Sequence, residues 1–197
     1  MTTDNSHTKS ELRSHLRALR QAHVEALPGS TKGLLFRVPP APLLNLVPSG
    51  SAIGVYHANQ WEAPAQHYAS HFAEKGHSIA LPRFADNAAA MEFAQWTDFY
   101  GETDLEDGAF GIKQPSSDAP KISPDVLFVP LIGFSENGER LGQGGGHYDR
   151  WLADNPDKTD REFFRVGVDI QDKYTEKAGG KKIKYLGAGA WQWERNV

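Results

Sequence analysis

The stretch Gly138–Arg150, GERLGQGGGHYDR, concentrates five glycines, two arginines, a tyrosine and an aspartate. Glycines at 142, 144, 145 and 146 let backbone N–H groups approach an anion closely and tolerate positive φ. A helix opening directly after them adds the positive end of its dipole. Arg140 contributes a forked cation that matches phosphate oxygens. These residue types in this order point to phosphate chemistry, although a flexible surface turn is the plain alternative for any glycine cluster. The stretch is not a P-loop, because no Gly-Lys-Ser/Thr follows. Nor is it the dinucleotide fingerprint, because His147 stands where the third glycine would be. Asp149 could carry the magnesium that accompanies a nucleoside triphosphate, or could simply stabilise the start of the helix.

Elements on both sides must position such a loop. Leu12, Leu16 and Leu19 recur at helical spacing, with Lys9, Arg13, Arg17 and Arg20 on a neighbouring face, so a helix is expected from Lys9 to about Ala26, closed by Pro28 and Gly29. A stretch with Pro39, Pro40, Pro42 and Pro48 follows. Ala52–Tyr56 is a short apolar run that reads as a strand. A helical segment from about Ala63 to Lys75 stops at Gly76, and Ser78–Pro82 reads as a second strand. A connection of helical length favours parallel pairing of these two strands. Met91–Trp96 alternates as a further strand would. Val126–Phe134 is the most continuous apolar run, the pattern of a central strand buried on both faces, with the glycine-rich loop directly after it. His147–Asn155 has helical character, Phe164–Ile170 reads as another strand, and Trp191 and Trp193 alternate in a terminal one. The fold class expected is α/β, an open, mostly parallel sheet flanked by helices in a Rossmann-like three-layer architecture, with ligands at the carboxyl ends of the strands.

The 197 residues fit a single domain, 1–197. Hydrophobic content of 39% and 23% charged residues are those of a compact globular chain. A net charge of −4 provides no general basic field, so no nucleic-acid partner is expected and any anion must be held locally. No cysteine is present, which excludes disulfides, thiolate metal sites and cysteine catalysis, and suits a reducing compartment. No apolar stretch approaches a membrane span and the N-terminus has no apolar signal region, so the expectation is a cytoplasmic monomer without a membrane partner. A serine hydrolase is excluded by the lack of a Gly-x-Ser-x-Gly elbow. His67 and His71, four residues apart on a helical segment, would need a third ligand to hold a metal. Lys181, Lys182 and Lys184 read as a solvated loop.

RLGQGGGHYDR after DVLFVPLIGF strongly resembles the signature of the 5-formyltetrahydrofolate cyclo-ligase family, also called methenyltetrahydrofolate synthetase. Other pieces fall in the family's order: KSELR near the N-terminus, Tyr56 with Glu62, LPRF at Leu81–Phe84, MEF at Met91–Phe93 and GAFGIKQP at Gly108–Pro115. The resemblance runs from about Lys9 to Gln171. It implies an enzyme that uses Mg-ATP to close 5-formyltetrahydrofolate, in free or polyglutamylated form, into 5,10-methenyltetrahydrofolate with release of ADP and phosphate, through a phosphorylated formyl group. Carried over by motif, Lys9 and Arg13 would bind ATP phosphates, although their residue types alone fit a solvated helix face equally well. Arg140, Leu141, Gly142, Gln143, Gly144, Gly145, Gly146, His147 and Tyr148 would form the main ATP loop, with Arg140 and Tyr148 at the chemistry. Asp149 would be a magnesium ligand. Glu62 would contact the folate, Phe110 would offer it an aromatic face unless it is ordinary core, and His57 and Tyr148 would line the same pocket.

The tail, residues 172–197, departs from the family. It lacks the His-Asp pair whose aspartate is a second magnesium ligand, and nothing in the spacing selects Asp172 or Glu176 as a substitute. That leaves two further readings: a non-catalytic folate- or nucleotide-binding homologue, and a small-molecule kinase using the same phosphate loop.

Overall fold

The computed structural model describes residues 8–34, 36–45, 47–134, 140–155, 164–169, 175–178, 181–184 and 189–192. The first helix, α1 (Lys9–Ala26), starts where expected because Thr8 and Glu11 form a reciprocal capping box. Two short helices follow, α2 (Gly29–Leu34) and α3 (Ala41–Leu44), the latter occupying the proline-rich stretch with a proline in its first turn.

Strands β1 (Ala52–Gly54), β2 (Ser78–Arg83) and β3 (Glu92–Gln95) come next. The expected helix between β1 and β2 is split into a 3₁₀ turn at Ala65–Tyr68 and the short α4 (Ala69–Glu74). Pro64, at φ −78° and ψ 67°, lies outside the helical region and delays the helix start. A hairpin of β4 (Leu105–Asp107) and β5 (Lys113–Pro115) precedes β6 (Val126–Val129). A second small hairpin, β7 (Gly133–Phe134) with β8 (Arg140–Leu141), leads into α5 (His147–Asp154). Beyond it lie β9 (Phe164–Asp169), the antiparallel pair β10 (Thr175–Ala178) and β11 (Lys181–Lys184), and β12 (Gly189–Gln192).

Six strands form one sheet in the order β12-β9-β6-β1-β2-β3. The pairs β1/β2, β1/β6 and β6/β9 are parallel, and the two edges, β3 and β12, run antiparallel to their neighbours. The sheet is therefore mostly parallel, with helices on both faces. β6 shows why its sequence is apolar throughout. Val126 and Phe128 join the cluster with Ile53, Tyr68 and Phe72, whereas Leu127 and Val129 join the cluster with Phe84, Phe93 and Trp151 of α5. Among the described residues, no helix is long and apolar enough to cross a membrane.

One expectation is corrected here. The apolar run Val126–Phe134 is not a single strand with the glycine loop directly behind it. β6 stops at Val129 because Pro130 has no N–H to donate to the ladder, and the chain then leaves the sheet for the β7/β8 hairpin before the loop begins. The hairpin has its own support: Ile132 packs with Leu12 and Leu16 of α1, and its N–H donates to the Leu141 carbonyl at 2.8 Å.

The parallel strands β2, β1 and β6 end on the same side of the sheet. Phe84 follows β2, His57–Glu62 follow β1, and the hairpin with its glycine loop follows β6. Gln114 ties the β4/β5 hairpin to this end, because its carboxamide accepts from the Phe84 N–H and donates to the Phe84 carbonyl, both at 3.1 Å.

Candidate functional site

The glycine loop, residues 142–146, turns between β8 and α5. Gly144 (φ 113°) and Gly146 (φ 67°) occupy the left-handed region that a side chain would strain, and Gly146 is the N-cap of α5. No side chain caps α5. Its first-turn N–H groups and dipole are thus turned toward whatever the loop receives.

Two arginines of α1 grip the loop. Arg13 Nε donates to the Gly142 carbonyl at 2.8 Å. Arg17, one turn further, donates from Nη2 to the Gln143 carbonyl at 3.0 Å, and from Nε and Nη2 to Gln143 Oε1 at 3.2 and 3.1 Å. Lys9, one turn before Arg13, is exposed and has no hydrogen bond or ion pair among the described residues. The loop is joined to the segment after β1 as well: Gln143 Nε2 donates to Glu62 Oε1 at 2.9 Å, while Glu62 Oε2 accepts from the Asn59 N–H at 3.1 Å.

Arg140 lies under the loop with its side chain only 13% exposed. Its Nη1 donates to the Pro130 carbonyl at 3.2 Å, its Nη2 pairs with Asp149 Oδ1, and its guanidinium carbon stands 5.9 Å from the centre of the Tyr148 ring. The Tyr148 hydroxyl is shielded from solvent and has no hydrogen-bond partner among the described residues. Burial pushes its pKa up, the Glu62 carboxylate adds to the rise and Arg140 opposes it, so the group is a neutral phenol with a proton to donate.

On the other flank, His147, Phe84 and Phe110 form an aromatic triangle. Ring centres are 4.9 Å apart for Phe84 and His147, 5.0 Å for Phe110 and His147, and 5.2 Å for Phe84 and Phe110. Phe110 is not ordinary core: it is 53% exposed and adopts φ 59°, which is costly for a bulky residue. His147 accepts from Arg150 Nη2 at its Nδ1, 3.1 Å away. Desolvation, and secondly the Arg150 charge, lower the His147 pKa, so the ring is neutral with its proton on Nε2.

Of the residues singled out from sequence, Arg13, Gln143 and Glu62 are joined by hydrogen bonds through the loop and Arg17, while Arg140, Tyr148 and Asp149 form a second contact group beneath it. His57 is not joined to either; its Nε2 lies 3.1 Å from Glu102 Oε1. Arg17, Arg150, Phe84 and Asn59 were not picked out as site residues. For Arg17 a signal existed, because it stands one helical turn from Arg13 on the same face.

The family model for 5-formyltetrahydrofolate cyclo-ligases matches residues 5–174. The chain belongs to this family.

Curated relatives carry the family name. The 5-formyltetrahydrofolate cyclo-ligase of Haemophilus influenzae is 37% identical over 79 residues, covering 38% of this chain and 41% of that protein. Its counterpart in Mycolicibacterium smegmatis is 30% identical over 158 residues, covering 74% of this chain and 75% of that one. The match therefore spans less than half the length of the first of these relatives. Among solved structures, 5,10-methenyltetrahydrofolate synthetase from Mycoplasma pneumoniae superposes with a TM-score of 0.55 at 18% identity, covering 80% of this chain and 85% of that one. The Aquifex aeolicus 5,10-methenyltetrahydrofolate synthetase superposes with a TM-score of 0.52 at 23% identity, covering 82% and 77%. At these identities the superpositions establish the shared fold.

Magnesium, which the family reading implies, takes six oxygen ligands and retains several waters. The loop offers one carboxylate, Asp149, exposed and paired with Arg140, and among the described residues no three His, Asp or Glu side chains come together as a metal site. His67 and His71 gain no third ligand there either. The residues present fit the ion only where phosphate oxygens and water complete its shell. Gln171 and Asp172 lie outside the described residues, and of Glu176 the structure describes only its place in β10.

Proposed function

We propose that the protein is an ATP- and magnesium-dependent 5-formyltetrahydrofolate cyclo-ligase producing 5,10-methenyltetrahydrofolate, ADP and phosphate. The observation that carries this reading is the glycine loop itself, which is gripped by α1 arginines on one side and hydrogen-bonded to Glu62 on the other. Phosphates of ATP would lie on the N–H groups of residues 142–147, with Lys9, Arg13 and Arg140 supplying charge. Asp149 would hold magnesium, whose role is to neutralise charge on the transferring phosphoryl group. The donor edge of the pterin would bind Glu62, and Phe110 would cover a ring face.

A formamide oxygen is a poor leaving group. Its attack on the γ-phosphorus expels ADP and leaves the formyl oxygen phosphorylated, which makes the formyl carbon electrophilic. N10 of the folate adds to that carbon and gives up its proton, and the carbon–oxygen bond then breaks to release inorganic phosphate. Little bond-making falls to the protein, so its contribution is positioning and charge stabilisation. The neutral Tyr148 hydroxyl, a buried donor with no acceptor among the described residues, is suited to an oxygen that gains negative charge in these steps. A polyglutamylated substrate, a monomeric state and a cytoplasmic setting belong to the same proposal.

The second reading, a folate- or nucleotide-binding homologue without turnover, draws on the Arg140–Asp149 ion pair, which engages the carboxylate that magnesium would need. Incubation with Mg-ATP and 5-formyltetrahydrofolate separates the two. Growth of the methenyl chromophore with stoichiometric ADP is the outcome expected of the ligase; binding of both compounds without chromophore would replace it with the homologue.

A further inference from the structure

The carboxamide of Gln143 lies between a group that can only donate and a group that can only accept. Its Oε1 receives two hydrogen bonds from Arg17, at 3.2 and 3.1 Å, and its Nε2 gives one to Glu62 at 2.9 Å. Reversing the amide would set donors against the guanidinium and an acceptor against the carboxylate, so its orientation is determined chemically. Arg17 also holds the Gln143 main chain through its carbonyl at 3.0 Å. A single guanidinium therefore sets both the backbone position of the loop and the direction in which the Gln143 side chain donates.

Neither end of this chain is saturated. The Glu62 carboxylate offers about four acceptor positions, and the Asn59 N–H and Gln143 use two of them, so a donor arriving at Glu62 need not displace Gln143. Arg17 Nη1 makes no hydrogen bond among the described residues and remains available to an anion over the loop.

We infer that Arg17, Gln143 and Glu62 form a bridge that couples the two ligand sites, so that a folate at Glu62 and a nucleotide phosphate at the glycine loop each strengthen the binding of the other. The inference rests on the functional reading above, and Arg17 enters it as a positioning residue. A donor bound to Glu62 holds the carboxylate in place, which holds Gln143 and the loop in the conformation that receives phosphate. A phosphate drawn to Arg17 fixes the guanidinium, which keeps the Gln143 amide aimed at Glu62. The coupling is reciprocal by thermodynamic necessity.

The test is a pair of calorimetric titrations on the full-length chain. A non-hydrolysable ATP analogue with magnesium is titrated in the absence and presence of saturating 5-formyltetrahydrofolate, and the reverse. In the unaltered protein each ligand is expected to lower the Kd of the other by about 5- to 20-fold, within the usual range of coupling. Arg17→Met should reduce that factor to near one; because it also removes a donor offered to the phosphate, it should weaken the ATP analogue alone by about 10-fold, while the Kd of 5-formyltetrahydrofolate alone stays within about two-fold. Arg17→Lys, which cannot make the forked contact, should recover only part of the factor. Gln143→Glu keeps an acceptor for Arg17 but removes the donor to Glu62, and should abolish coupling whatever it does to ATP binding alone. Thermal melts of each variant report whether it has folded. A full coupling factor in Arg17→Met, or a factor of one or below in the unaltered protein, overturns the inference. So does a weakened ATP analogue in Arg17→Met with the coupling factor unchanged. Failure of the unaltered protein to bind either ligand overturns the functional reading instead, and is seen in the first titration.

Discussion

Arginines hold two different places at the ends of the central strands. Arg83, at the end of β2, is 6% exposed and fully engaged: Nε and Nη2 bond Glu92 Oε1 at 2.9 and 2.6 Å, and Nη1 reaches the carbonyls of Ser116, Ser117 and Ala119. Lys121 closes the group at 2.5 Å from Glu92 Oε2. At the glycine loop, Arg13, Arg17 and Arg150 contact loop groups with only part of their donor capacity, and no carboxylate pairs with them among the described residues. The same side chain thus serves two purposes. Where its donors are satisfied by the protein it fastens strands and loops; where they are left over, their natural complement is an anion from outside.

The sharpest way to break this distinction is to remove the saturated arginine. Arg83→Ala leaves Glu92 Oε1 and three carbonyls without their donor, Glu92 keeping Lys121 as its one partner, and should cost about 1–3 kcal/mol of folding stability. Arg13→Ala and Arg17→Ala should stay within about 1 kcal/mol. Urea unfolding of the three variants checks this, and equal losses would erase the contrast.

Arg140 belongs between the two classes, since it is mostly buried yet adjoins the glycine loop proposed to hold phosphate. Arg140→Ala is expected to leave the fold intact and raise the ATP requirement by about one to two orders of magnitude, the effect of a charge-assisted contact worth about 1.5–3 kcal/mol. Steady-state kinetics in ATP would show it; unchanged kinetics would move Arg140 into the structural class.

Glu62 sharpens the comparison from the ligand side. Glu62→Gln should weaken 5-formyltetrahydrofolate by about 10- to 100-fold, through an unpaired polar group in the pocket, and leave the affinity for ATP alone nearly unchanged. Separate titrations decide it. Equal losses for both ligands would indicate damage to the fold.

The smallest expected effect concerns pH. Burial pushes the Glu92 pKa upward, but hydrogen bonds and charge from Lys121 and Arg83 outweigh burial and leave it below its ordinary value of 4.5. The folded state therefore holds this proton less tightly than the unfolded chain. The stabilisation is fully present above about pH 4.5 and is lost as pH falls through the lower folded-state value. Melting temperatures of the protein and of Glu92→Gln should differ near neutrality and converge in acid; a difference that persists in acid would remove the Arg83–Glu92–Lys121 group from the pH dependence.

Much of this was readable in the order of residues. Helical spacing located α1, and an unbroken apolar run located β6, buried on both faces, though not its end at Val129. The break at Pro130 was also written in the chain, but the unbroken apolarity around it outweighed one proline. The β7/β8 hairpin escaped notice because its stability comes from α1, more than a hundred residues away.

Arg17 shows the limit most clearly. Periodicity puts it on the same face as Lys9 and Arg13, for which a solvated helix surface is an equal reading of the residue types. Residue type and local spacing are properties of the chain, and they suffice to name an anion loop, a family and an α/β sheet. Which donors remain unspent is a property of the assembled molecule, set by contacts such as Arg17 with Gln143, Arg140 with Asp149 and His57 with Glu102. Those pairs lie 126, 9 and 45 residues apart. Hydrogen-bond saturation depends on three-dimensional proximity, which no local pattern encodes, and it is this saturation that separates an arginine that fastens the fold from one with donors left over.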